Sequence, residues 1–141
     1  MPRMGEQIMH LYMTTISDQL RGWADWALRE KDNVQGFANI DEAYQRNTYA
    51  GYLQALDDIE LKFNQSAYEI DNLFQRMDST LDEAKEILEK LNNYFKGEKE
   101  YYWKQSSDMA HGRADMLNKG VMFSQEIIRK LEDWMAGKRS F

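Results

Sequence analysis

Cysteine is absent from the chain, and with it go disulfide frameworks, thiolate nucleophiles, iron–sulfur clusters and cysteine zinc sites. Proline occurs once, at Pro2, so nothing downstream interrupts a helix through a missing backbone donor. Alternating apolar runs and the Asn-Gly or Asp-Gly turns that join strands are missing as well, which excludes a sizeable sheet. No apolar run approaches the roughly 18 residues needed to span a membrane. Glu6, Gln7 and His10 also stand where a secretory leader would need an apolar stretch. These absences predict an all-α, cytoplasmic chain with no membrane partner.

What is present suits a packed helical core. The chain has 141 residues, 43% hydrophobic and 30% charged, a globular balance at a length that buries about two-thirds of the unfolded surface. Met9, Met13, Ile16, Leu20, Trp23 and Ala27 recur at spacings of three and four and predict a first helix over 6–31. The strongest loop signal, Asp32-Asn33-Val34-Gln35-Gly36, follows it. A second stripe, Tyr49, Tyr52, Leu56, Ile59, Phe63, Ala67, Ile70, Phe74 and Met77, predicts a helix over 40–77, with Asn39 as cap and Asp41 and Glu42 in the first turn. At about 1.5 Å per residue this helix is roughly 57 Å long. Two successive spacings of four around Phe63 form a stutter, which relaxes supercoiling.

At residues 78–80 two readings compete. Thr80 and Glu83 form a capping-box pattern that starts a third helix over 80–96. Yet the stripe continues in phase through Leu81, Ala84, Leu88, Leu91 and Phe95, as one uninterrupted helix would require. The break is favoured, because a single helix of roughly 85 Å would need a partner along its length. Gly97 then serves as a C-cap, and a last helix covers 98–136, with a stripe from Trp103 and Ser107 through Ala110, Ala114 and Leu117 to Met135. Ala110, Gly112, Ala114 and Gly120 would let a neighbouring backbone approach closely, and Gly120 marks a kink at most. The expected fold is an antiparallel bundle of three or four long helices with coiled-coil-like packing in a single domain. Unequal helix lengths leave overhangs, which predicts a homodimer.

Sites for chemistry are scarce. Asp108, His111 and Asp115 share one face of the last helix, with Arg113 beside them, and a histidine flanked by carboxylates can hold a metal or a tuned proton. That face points away from the apolar stripe, so a surface charge cluster is the better reading. A ferritin-like centre would need a second copy of such a pattern, and none occurs. Glu83-x-x-Glu86 supplies half of the magnesium motif of all-helical nucleotide pyrophosphatases, but no Glu-x-x-Asp follows, and the resemblance fails. Phosphate-cradling glycine loops, nucleophile elbows and His-Glu-x-x-His are missing. No catalytic residue, metal or cofactor is implied.

The candidates for binding are therefore Leu11, Trp26 and Arg29 in the first helix, and Tyr101, Tyr102 and Trp103 opening the last. Against this stands a charge ladder in which Asp18 and Asp25 satisfy Arg21 and Arg29 within the helix. Net charge is −6, which with dispersed basic residues argues against duplex nucleic acid as a partner. Residues 57–89 hold ten acids and three bases, a solvated face or an attraction for a basic partner. The expected function is a non-catalytic protein-interaction module, of the profile of phage or mobile-element adaptors and inhibitors that act on a host protein complex. A bundle that sequesters a nucleotide or other small molecule is the alternative, and a metal-dependent hydrolase around His111 the third.

Overall fold

The structure, a computed structural model, describes residues 4–37, 43–76 and 79–137. Four helices account for nearly all of them: α1 (Met4–Phe37), α2 (Ala43–Phe74), α3 (Leu81–Trp103) and α4 (Asp108–Met135). No strand occurs among the described residues. The helices pack as a bundle in which each runs antiparallel to the next. Ser17 meets Asp71 and Lys31 meets Asp57 across α1 and α2, while Asn92 meets Ser124 and Lys99 meets Asn118 across α3 and α4.

The predicted stripes form the core. Met13, Ile16, Leu20 and Ala27 of α1 and Leu56, Ile59, Phe63, Ala67 and Ile70 of α2 are buried. So are Ala84, Leu88, Leu91 and Phe95 of α3. Phe63 lies at the centre, 5.6 Å from the Phe95 ring and 6.4 Å from the Phe123 ring between centroids. The chain turns between α2 and α3: Gln75 and Arg76 leave the helix, and Thr80 caps α3 by accepting from the Glu83 amide at 3.3 Å. The side-chain cap satisfies an amide that lacks an intrahelical partner, so it starts a new helix even though the stripe keeps its phase. The core is consequently closed within one chain. Met77, Ile40, the Asn39 cap and the Asp41-Glu42 turn lie outside the described residues.

Three helix boundaries differ from the pattern-based expectation. α1 runs through the Asp32–Gly36 loop signal, because Val34 falls seven residues after Ala27 on the same face and is buried. Lys31 adds ion pairs to Asp57 at 2.6 Å and Glu60 at 3.2 Å, whose hydrogen bonds and charges raise its pKa against the opposing effect of burial. Tertiary contacts outweigh turn propensity here. α3 likewise passes through Gly97 and ends at Trp103, seven residues beyond Lys96. Lys99 donates to Asn118 Oδ1 at 2.9 Å and Tyr102 packs on the core, so the turns after Gly97 are held from outside the helix. α4 therefore begins only at Asp108, capped by Ser107, which accepts from the Ala110 amide at 3.1 Å. Trp103 and Ser107 do not belong to its stripe. The helix continues unbroken through Gly120, whose open side receives the Phe95 ring.

α2 and α4, which run parallel, approach each other closely. A Cβ built on Gly51 would lie 2.6 Å from the Arg113 amide nitrogen, and one on Gly112 would lie 3.0 Å from Thr48 Cα. Each glycine thus receives the backbone of the opposite helix. Farther along, a buried polar contact fixes α3 against α4: Asn92 donates to Ser124 Oγ at 3.0 Å and to Val121 O at 3.1 Å, and Ser124 donates to Gly120 O at 2.7 Å. Both side chains are satisfied, so the contact sets register without an orphaned polar atom.

The intrahelical charge ladder is not what holds Arg21. Its guanidinium crosses to α2 and pairs with Asp71, and Ser17 donates to the same carboxylate at 2.7 Å. Burial alone would raise the Asp71 pKa, but the hydrogen bonds from Arg21 and Ser17 and the Arg21 charge outweigh it and hold the carboxyl below its ordinary value of 3.8. The stabilisation is therefore present above pH 3.8 and is lost as pH falls through the lowered folded value. Asp71→Asn is expected to make stability less pH-dependent in that acid range, as measured by urea unfolding at successive pH values. An unchanged slope would refute the assignment.

Candidate functional site

At one end of the bundle, α3 finishes and α4 begins over the N-terminal part of α2, and this end is rich in aromatic side chains. Tyr101 and Trp103 are 61% and 56% exposed, on either side of a half-buried Tyr102. Trp103 lies against His111, with centroids 4.9 Å apart, and Tyr101 meets Tyr102 edge to face at 5.0 Å. Met109, exposed at the start of α4, sits with its sulfur 3.5 Å from the Gln54 amide nitrogen.

Beneath them lies a polar assembly that joins three helices. Arg113 of α4 stacks on the Tyr102 ring, its Cζ 4.2 Å from the centroid. The same guanidinium pairs with Asp58 of α2 at 3.2 Å and donates to Gln54 Oε1 at 3.2 Å. Tyr94 of α3 donates its hydroxyl to Asp58 Oδ2 at 3.1 Å, and Lys62 lies 4.5 Å above the Tyr94 ring. Burial, followed by the Asp58 charge and hydrogen bond, raises the Tyr94 pKa far above the ordinary phenol value, so it remains a donor. Arg113 and Asp58 are each only about one-fifth exposed. The assembly is a strut: it fixes the last turns of α3 against α2 and α4, and so fixes the direction in which Tyr101 and Trp103 project.

The other predicted binding residues are distributed elsewhere. Leu11 is exposed, at the end of α1 where the adjacent Tyr12 stacks on Trp134. His111 and Trp134 are 23 residues apart on α4, roughly 35 Å at the helical rise, so Leu11 and Trp103 belong to opposite ends. Trp26 is a correction: it is half-buried, its ring edge-on to Trp23 and Phe123 at centroid distances of 6.4 and 5.0 Å. Its offset from the stripe centre turns the ring toward Phe123 of α4 and leaves part of it at the surface. Arg29 is exposed beside it, and among the described residues no ion pair joins it to Asp25. Tyr102 is also less exposed than its neighbours, because Arg113 covers it.

Asp108, His111 and Asp115 are not brought together as a ligand set: among the described residues no group of three His, Asp or Glu side chains is placed to hold an ion. His111 instead packs against Trp103, and Asp115 is exposed. Arg113, grouped with them by sequence proximity, faces the other way. Its position three residues after Ala110 and four before Leu117 puts it beside the apolar stripe. That placement was the available signal that it must find an internal anion, although it could not identify Asp58 or Tyr94 as the partners. No helix among the described residues is long and apolar enough to cross a membrane. No family model, curated protein or solved structure matches the chain.

Proposed function

We propose that the chain is a protein-binding module without catalytic activity, and that its aromatic end is the surface that meets the partner. The observation that carries this reading is the exposure of Tyr101 and Trp103 on helices locked by the Arg113–Asp58–Tyr94 strut. Large aromatic side chains held rigidly lose little conformational freedom on binding, and such residues dominate interface energies. The compositional profile extends the proposal to adaptors or inhibitors carried by mobile elements and directed at a host protein complex. The test is capture of a partner on the tagged chain, its identification by mass spectrometry, and titration of the purified pair. Tyr101→Ala with Trp103→Ala should weaken binding by about thirtyfold or more, since an interface hot spot is worth about 2 kcal/mol. A specific partner bound equally well by the double variant would overturn the reading, as would the absence of any specific partner.

Self-association is the second half of the proposal. It is not required to complete the core, so it must rest on surface residues, and Leu61 and Tyr68 are exposed two turns apart on α2. Light scattering should give twice the 16.7 kDa of one chain, and a single-chain mass at micromolar concentration would remove this half alone.

A further inference from the structure

The seam between α1 and α4 is bridged by stacked aromatic pairs. Tyr12 lies on Trp134 with centroids 4.7 Å apart, and Trp23 lies on Phe123 at 3.7 Å with planes 4° apart. Beside the second pair is a groove of about 280 Å³, bounded by Trp23, Trp26 and Ile127 and open above Gly22. A Cβ on Gly22 would meet nothing within 4 Å, as at Gly36 and Gly97, so the floor of the groove is open rather than packed. The groove also has a cationic rim: Arg29 has no ion-pair partner among the described residues, and Lys130 is shared with Glu126 only at 3.9 Å. Counting these three groups, the rim carries a net charge of about +1 next to an aromatic wall. Gln19, which also lines the groove, keeps its Oε1 buried without a hydrogen-bond partner, an acceptor open to a ring N–H and not to an anionic group.

We propose that this groove binds a small planar aromatic anion, a ring system bearing one carboxylate or phosphate group. The ring lies over Gly22 against Trp26, and the anionic group meets Arg29 and Lys130. The volume falls just short of the usual range for ligand pockets, which suits one fused ring system rather than a dinucleotide. The site is on a different seam from Tyr101 and Trp103 and does not depend on the protein-binding reading.

Calorimetric titration of the full chain tests it with indole-3-carboxylate and adenosine monophosphate as the two anion sources, and with indole and inorganic phosphate as probes that lack the anion or the ring. At least one of the two aromatic anions should bind with one-to-one stoichiometry, and indole or phosphate alone should bind about tenfold more weakly or worse. Gly22→Leu, which fills the groove without touching the core, should abolish binding with no fall in thermal midpoint. Arg29→Ala should weaken it about tenfold, the contribution of one charge-assisted contact. Failure of both aromatic anions to bind the unmodified chain would overturn the proposal, and so would unchanged binding by Gly22→Leu. Tyr101→Ala with Trp103→Ala should leave this titration unchanged, which separates its outcome from that of partner binding.

Discussion

Gly112→Ala is expected to destabilise the bundle by about 2–3 kcal/mol, although alanine is the better helix former by about 1 kcal/mol. The added Cβ would lie 3.0 Å from Thr48 Cα, whereas carbons pack at about 3.5–4.0 Å. Because the obstruction is backbone, no rotamer change relieves it, and α2 must move away from α4. Overpacking a tight core costs about 1–3 kcal/mol when side chains can adjust, and here they cannot. Gly51→Ala should behave similarly, its Cβ lying 2.6 Å from the Arg113 nitrogen. Since one separation of the two helices relieves both clashes, the double variant should lose less than the sum. Gly97→Ala is the internal control: its Cβ meets nothing within 4 Å, so helix propensity alone should stabilise by about 0.5–1 kcal/mol. Urea unfolding of the four variants checks the series. If Gly112→Ala is as stable as the unmodified chain, the close approach is not a feature of the folded protein.

The glycine series also explains which parts of the fold are legible in the sequence. The burial of Leu56, Ile59, Phe63 and Ile70 follows from spacing, because a helix buries whatever lies along one stripe. The Thr80 cap is equally local, since its donor is three residues away. The run of small residues around Gly112 announces a close backbone approach, but that its partner is Thr48 follows only from the packing of α2 on α4. Gly97, whose spacing suggests a helix end, lies open within α3. The same holds for Val34 and Lys31, whose contacts with α2 extend α1 through residues that would otherwise form a loop.

Within the candidate site the division is similar. The position of Arg113 beside the Ala110–Leu117 stripe announces a buried cation, because a charge there must be paired. Its carboxylate is 55 residues away at Asp58 and its phenol neighbour is on a third helix, and no helical periodicity connects such positions. Trp26 and Trp103 illustrate the reverse error. Helical-wheel angle alone places Trp26 off its stripe, but the seam with α4 is wide enough to take its ring edge-on to Phe123. Spacing places Trp103 on the stripe of the last helix, yet the extension of α3 past Gly97 leaves it more than half exposed.

Asp58→Ala is expected to cost about 2–4 kcal/mol and to release the aromatic end from its fixed orientation. The carboxylate is the anion of Arg113 and the acceptor of Tyr94. Without it, a guanidinium that is about four-fifths buried retains only Gln54 and the Tyr102 ring, and its Nε already has no hydrogen-bond partner. Removing one member of a buried pair costs about 3–5 kcal/mol because the other charge remains desolvated, and the residual solvent exposure of this pair lowers that figure. Arg113→Met should be milder, because Asp58 keeps the Tyr94 hydroxyl. In the double variant Asp58→Leu with Arg113→Met both charges are gone, so most of the lost stability should return. Denaturant unfolding measures the three variants, and a double variant as unstable as Asp58→Ala would show that packing rather than charge holds this end. Orientation is read separately, by Trp103 fluorescence anisotropy in a chain whose other tryptophans are replaced by phenylalanine. Asp58→Ala should lower that anisotropy and the double variant should not restore it fully, because apolar packing replaces the charge pair without replacing the hydrogen bond that ties Tyr94 of α3 to α2.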